Sequence, residues 1–103
     1  MTGVQTCALP IYTLVGHGAA ILRPPESTEV DYEGELAVVI GRGSRRIPEA
    51  RALEHVAGYA CFNDGSVRDY QRKSSQWTIG KNFDQTGGFG PWIVTAEIGR
   101  AHV

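Results

Sequence analysis

The chain has 103 residues, a formal net charge of −1, 42% apolar side chains and 20% charged ones. That is the size and make-up of one small domain. The near-neutral balance gives no reason to expect nucleic acid or an anionic membrane as a partner, and no apolar run exceeds five residues, far short of the roughly 20 that a spanning helix needs.

The two ends are set apart first. "TGVQTCALPI" after Met1 and "IGRAHV" at the end match translated sequencing-adapter frames, so residues 1–11 and 98–103 are excluded from fold reasoning. Residues 12–97 then form the partial domain, expected to be an internal piece of a longer reading frame. Cys7, Arg100 and His102 leave the functional argument with the ends. Cys7 and Cys61 are the only cysteines and belong to no C-x-x-C pattern, so neither a disulfide framework nor a zinc site is expected, and a reducing compartment, the cytoplasm, follows.

In chain order, "GHGAAILRPPEST" opens as a glycine loop, with His17 on the surface, and stops at Pro24–Pro25. Residues 32–40 predict a strand ended by Gly41 and Gly43. On it Glu33 and Glu35 share one face with Ala37 and Val39, while Leu36, Val38 and Ile40 point the other way. Arg42, Arg45 and Arg46 follow as a solvated turn; no aromatic residues interleave with them, which argues against a nucleic-acid patch. "SRRIPEARALEHVAGYA" predicts a helix entered at Pro48, striped by Ala50, Leu53, Val56 and Ala57 and closed by Gly58, with His55 at its solvated end.

"YACF" predicts a short buried strand, with Cys61 as a small buried hydrophobe. "NDGSVRDYQRKSS" predicts a turn opening a helix over 66–73, with Ser66 and Asp69 spaced as a capping box. "WTIGKNFD" predicts another short strand, "QTGGFG" a glycine loop and "PWIVTA" a last strand. Trp77 and Trp92 are expected to fill core or interface space. The mixture of short strands and helices without regular alternation predicts an α+β class.

Two carboxylates two apart on a strand can reach one hard cation from the same side, and such cations take oxygen ligands. Glu33 and Glu35 fit that role, and Asp64 is the best third candidate, because it stands where a strand opens into a helix. Arg68 and Gln71 are three apart and share a helical face. With Lys81 they would bind an anionic, oxygen-rich substrate. On spacing alone the plainer alternative stands beside this one: a solvated sheet face, a turn aspartate and a cap.

The blocks "DYEGELAVVIGRG", "HVAGYACFNDGSVRDYQ" and "WTIGKNFDQTGGFGPWIVT" together resemble the fumarylacetoacetate hydrolase family. Its signature is an E-x-E strand, then N-D-x-S-x-R-D-x-Q, then G-K-x-F-D, and the three blocks occur in that order across 32–95. The resemblance implies a mixed, rolled β-sheet domain with short flanking helices. It implies Glu33, Glu35 and Asp64 as metal ligands, and Arg68, Gln71 and Lys81 as substrate-contacting groups, with Lys81 and Arg68 catalytic. Asp69 would be structural. The implied ion is magnesium, alternatively calcium or manganese, and the implied assembly a homodimer.

Members act on 2-oxo or 1,3-dicarbonyl acids. The expected activity is C–C bond hydrolysis of the fumarylacetoacetate or acylpyruvate type. The alternatives are a decarboxylase or isomerase/hydratase acting on oxaloacetate-like or dienoic diacids, or an inactive metal-binding piece. The histidine element that activates water in hydrolytic members lies upstream of the E-x-E strand, and neither His17 nor His55 fits it.

Overall fold

The computed structural model describes residues 9–97. The adapter-like stretches, apart from 9–11, and with them Cys7, Arg100 and His102, lie outside the described residues. The architecture is α+β, as the sequence predicts. Seven strands occur among the described residues: β1 (Leu14–Gly16), β2 (Val30–Asp31), β3 (Gly34–Ile40), β4 (Val56–Asp64), β5 (Ser66–Val67), β6 (Gly87–Phe89) and β7 (Val94–Thr95). One short α-helix, α1 (Arg68–Gln71), and 3-10 turns at Ile11–Thr13, Glu49–His55 and Trp77–Gly80 complete the order.

The main sheet runs β1-β6-β4-β3. β3 and β4 form its longest ladder, antiparallel from Gly34 opposite Asn63 to Ile40 opposite Val56, with an irregularity after Val39. On its other edge β4 pairs with β6 near Asp64 and with β7 near Gly58. β1 lies parallel to β6. A separate two-stranded ladder joins β2 to β5, pairing Val30 with Val67 and Asp31 with Ser66. It ties the segment before Glu33 to the segment after Asp64.

The predicted helix over 48–58 is not formed. Pro48 caps a 3-10 turn, and the chain becomes β4 at Val56. Leu53 stays 70% exposed, so the apolar stripe finds nothing to pack on, and helices owe most of their stability to such packing. Val56 and Gly58 are recruited by the ladders to β3 and β7 instead, with Ala57 at the irregularity between them. His55, expected in solvent, is buried; its Nδ1 lies 2.9 Å from the Arg42 carbonyl oxygen. A carbonyl only accepts, so Nδ1 carries the proton.

"QTGGFG", expected as a loop, supplies the strand β6 between β1 and β4. A Cβ on Gly87 would lie 3.1 Å from Phe62 Cζ and 3.2 Å from Leu14 Cδ2, so glycine is needed for close approach within the sheet. "WTIG" is a 3-10 turn packed on α1, not a strand: a Cβ on Gly80 would come within 2.8 Å of Gln71 Cβ.

The alternation along β3 is as predicted, and the structure assigns the covered side to the smaller residues. Leu36, Val38 and Ile40 are exposed, while Ala37 and Val39 are partly covered and Ala60, opposite Ala37, is buried. Period-two patterning says which residues share a face, not which face is covered. Cys61, opposite Leu36, is exposed as well, and Trp77 and Trp92 are exposed and fill no core. The well-enclosed side chains are mostly polar: Thr13, Ser66, Asp64, Gln71, Lys81 and Thr86, with Val67 among them.

Candidate metal centre

Of these enclosed polar groups, Asp64, Ser66 and Lys81 meet around Glu33, and Gln71 joins them through Arg68. Glu35 lies on β3 opposite Phe62 of β4, so Glu35 and Asp64 project from the same face of the antiparallel pair. Glu33 precedes β3, and its carbonyl accepts from the Asp64 amide at 2.9 Å, which fixes the two acids relative to each other. The Asn63 side chain takes the Glu33 amide at 3.2 Å. One carboxylate oxygen from each of Glu33, Glu35 and Asp64 lies within 4.8 Å of the others. These are the three residues singled out in the sequence, and the structure brings them together.

Two cations stand against them. The Lys81 ammonium donates to Glu33 Oε2 at 2.9 Å, to Ser66 Oγ at 2.8 Å, and to Asp64 Oδ2 in a short contact. Its backbone amide closes the Trp77–Gly80 turn on Thr78, and the seating of that turn on α1 aims the lysine inward. The Arg68 guanidinium forks onto Asp31 Oδ2 at 3.0 and 3.1 Å, pairs with Glu33 Oε1 in a short contact, and donates to Gln71 Oε1 at 2.9 Å. The shared face of Arg68 and Gln71 is thus realised, although α1 spans only Arg68–Gln71 and not 66–73.

Burial would push the Glu33 carboxyl upward, but the bonds from Lys81 and Arg68 outweigh it and lower it from 4.5 to about 2. Burial opposes charge on Lys81 too. The bonds to Asp64 and Glu33 more than offset this, and its ammonium is held above its ordinary value. The bond to Glu33 raises Arg68. All three therefore stay charged at neutral pH.

A consequence follows for acid unfolding. A carboxyl whose pKa is depressed on folding stabilises above its unfolded value and loses that contribution as pH falls through its folded value. Glu33 should contribute about 1–2 kcal/mol, after solvent screening, at pH 6, and this should fade between about pH 4.5 and 2. Urea unfolding measured across that window should show a shallower decline in Glu33→Gln than in the parent chain. Parallel curves would remove Glu33 from the acid response.

Two participants escaped the sequence reading. Ser66, expected as a helix cap, is fully buried, its one hydroxyl proton shared between Glu33 Oε1 at 3.1 Å and the Asp64 carbonyl at 3.0 Å; no side chain caps α1. Asp31 clamps Arg68. Its signal was present, since Asp31, Glu33 and Glu35 recur at every second position. Asp69 is structural, accepting from Ser27 Oγ at 2.6 Å, a bond that lowers its pKa. His17 is exposed, and Arg42, Arg45 and Arg46 lie on a solvent-exposed turn, both as expected.

The donor set fits a hard divalent cation. Oxygen donors at roughly 2.0–2.6 Å from such an ion sit no more than about 4–5 Å apart, which matches the span of the three carboxylates. With Asp31 there are four carboxylates against Lys81 and Arg68, an excess of two negative charges. The fold and this cluster define a class: an α+β domain with a carboxylate centre braced by an arginine and a lysine and suited to an oxygen-ligated metal.

The sequence model described as fumarylacetoacetate (FAA) hydrolase C-terminal matches residues 6–102, and the chain belongs to that family. It is 48% identical over 83 residues to a fumarylacetoacetate hydrolase domain-containing protein 2 homolog of Dictyostelium discoideum, covering 79% of this chain and 27% of the relative. It is 44% identical over 88 residues to a mitochondrial oxaloacetate tautomerase of Xenopus laevis, covering 84% and 28%. Among solved structures it resembles a 5-carboxymethyl-2-hydroxymuconate delta-isomerase from Mycobacterium smegmatis, with TM-score 0.78, 45% identity and coverage of 82% and 34%. A fumarylacetoacetate hydrolase from Exiguobacterium antarcticum matches with TM-score 0.78, 41% identity and coverage of 84% and 31%. The chain spans about a third of the length of these relatives. No helix among the described residues is long and apolar enough to cross a membrane.

Proposed function

We propose that this chain carries the metal centre of an enzyme that moves a proton next to the carbonyl of a small 2-oxo diacid, as a tautomerase or isomerase. The observation that carries the reading is the meeting of Glu33, Glu35 and Asp64 with the charged Lys81 and Arg68. The names of the relatives support this side of the family chemistry over the C–C hydrolysis expected from the sequence. Hydrolysis stays as the second reading, favoured by the likeness to the Exiguobacterium enzyme. In the same reading the ion is magnesium and the working unit a homodimer, as the resemblance implies, placed in the cytoplasm by the cysteine usage.

Glu33, Glu35 and Asp64 would hold the ion. When bound, it would supply Lewis acidity at the substrate's carbonyl and carboxylate oxygens. Arg68 is planar and fixed by Asp31, Glu33 and Gln71, which take four of its five N–H groups, so it would offer a substrate oxygen the one remaining Nη2 N–H and its positive charge. Lys81 remains protonated and so is not the base; with its three N–H groups taken by Glu33, Asp64 and Ser66, it would stabilise the oxygen that gains charge as the enol forms through its field. The buried Ser66 hydroxyl keeps Glu33 and Lys81 in register.

The test follows enol–keto conversion of oxaloacetate by ultraviolet absorbance, with magnesium and with a chelator, alongside calorimetric titration of the metal. Glu35→Gln should lower kcat/KM at least about 100-fold and weaken metal binding about tenfold. Conversion that ignores both the chelator and the substitution would sink the assignment. Cleavage of acylpyruvates in place of tautomerisation would favour the second reading.

A further inference from the structure

At the far end of β3 from the carboxylates lies a second concentration of charge, of the opposite sign. A cavity of about 300 Å³ is lined by Arg42, Ser44, Arg45, Arg46, Arg51 and His55. Arg51 pairs with Glu54 at 2.9 Å. Arg42, Arg45 and Arg46 have no acidic partner among the described residues, and Glu49 makes no ion pair with them. From Glu35 to Ile40 the strand advances about 17 Å at 3.3 Å per residue, so this cavity is separate from the metal centre.

The turn is anchored from below. The amides of Gly41 and Arg42 both donate to the His55 carbonyl, at 2.9 and 3.3 Å, and the buried His55 ring returns a bond to the Arg42 carbonyl. A Cβ on Gly41 would stand 2.8 Å from Ala57 Cβ, so the turn rests directly on β4. Arg46 adopts φ 54, a left-handed conformation that few residues other than glycine and asparagine occupy readily. Several guanidinium groups are thus gathered round one cavity by a fixed backbone, with a single carboxylate to neutralise them.

We propose that this cavity binds a small anion carrying phosphate groups. Guanidinium forks match phosphate oxygens bidentately, and several of them round one cavity give a polyanion more than one such contact. The volume suits a small molecule. No phenylalanine, tyrosine or tryptophan lines the cavity and the His55 ring is buried, so no exposed aromatic face is offered for a base to stack on, which disfavours a nucleic-acid strand. The site owes nothing to the metal reading and is tested with divalent ions removed.

The probe is inorganic pyrophosphate, titrated at low ionic strength into the ¹⁵N-labelled full chain. Amide shifts should saturate and cluster over 41–55. The midpoint should rise at least about tenfold when Arg45→Gln and Arg46→Gly are combined, and about threefold for Arg45→Gln alone. Glycine keeps the left-handed backbone at 46, and the single variant alters only an exposed side chain. Shifts centred on 33, 35, 64 and 81 would overturn the proposal. So would shifts reproduced by sodium chloride at equal ionic strength, or a midpoint unmoved by the substitutions.

Discussion

Lys81→Met should destabilise the metal-free chain by about 3 kcal/mol and cut turnover about 100-fold or more. The side chain is 7% exposed and touches Glu33, Asp64 and Ser66 at once. Methionine conserves its bulk but leaves two partly buried carboxylates facing each other without a cation. Breaking a buried pair from one side costs more than the pair is worth, because the surviving charge stays desolvated. Magnesium should then restore more stability to the variant than to the parent, since the ion supplies the missing positive charge. Urea unfolding with chelator and with magnesium reads both halves. Equal midpoints for the two chains in chelator would show that Lys81 does not hold the acids together.

Gly65→Ala should be nearly as damaging, for steric reasons. Gly65 separates Asp64 from Ser66, and its amide donates to the Thr86 carbonyl at 3.1 Å. A Cβ there would overlap that same carbonyl oxygen, a backbone atom that cannot turn aside. Its φ lies outside the left-handed region, so the demand is for space, not for a special dihedral. Relief requires β4 and the segment before β6 to part, which displaces Asp64 and Ser66 from Glu33 and Lys81. The expected cost is about 2–3 kcal/mol, with metal affinity lowered at least about tenfold. Serine should fail as alanine does. Thermal unfolding and metal titration check the two effects, and an alanine variant matching the parent in both would refute the contact.

The acids of the centre were legible because their signal is local. Glu33 and Glu35 alternate on one segment, and Asp64 sits in a motif at the end of another. Which face of β3 is covered was not legible, because alternation is symmetric and only the rest of the fold breaks the tie. The Ala50–Ala57 stripe reads as helix by period, yet the ladder to β3 gives the backbone of Val56 and Gly58 a better set of partners, with Ala57 at the irregularity between them. The glycines of β6 read as a loop by composition. The purpose of Gly87, room for Phe62 and Leu14, appears only when strands remote in sequence are side by side. Ser66 was hidden by a competing local motif: serine followed three residues later by an acid describes a cap equally well. Its true partners lie 33 and 15 residues away in the chain.

The uncovered side of the β3–β4 ladder has a practical outcome. Leu36, Val38, Ile40 and Trp92 stand in water in the folded state. Self-association of this chain should therefore begin from intact molecules and not wait for unfolding. Stabilising additives that protect most small proteins would do little against it, whereas dilution, or a mild detergent that masks those side chains, would keep the material clear.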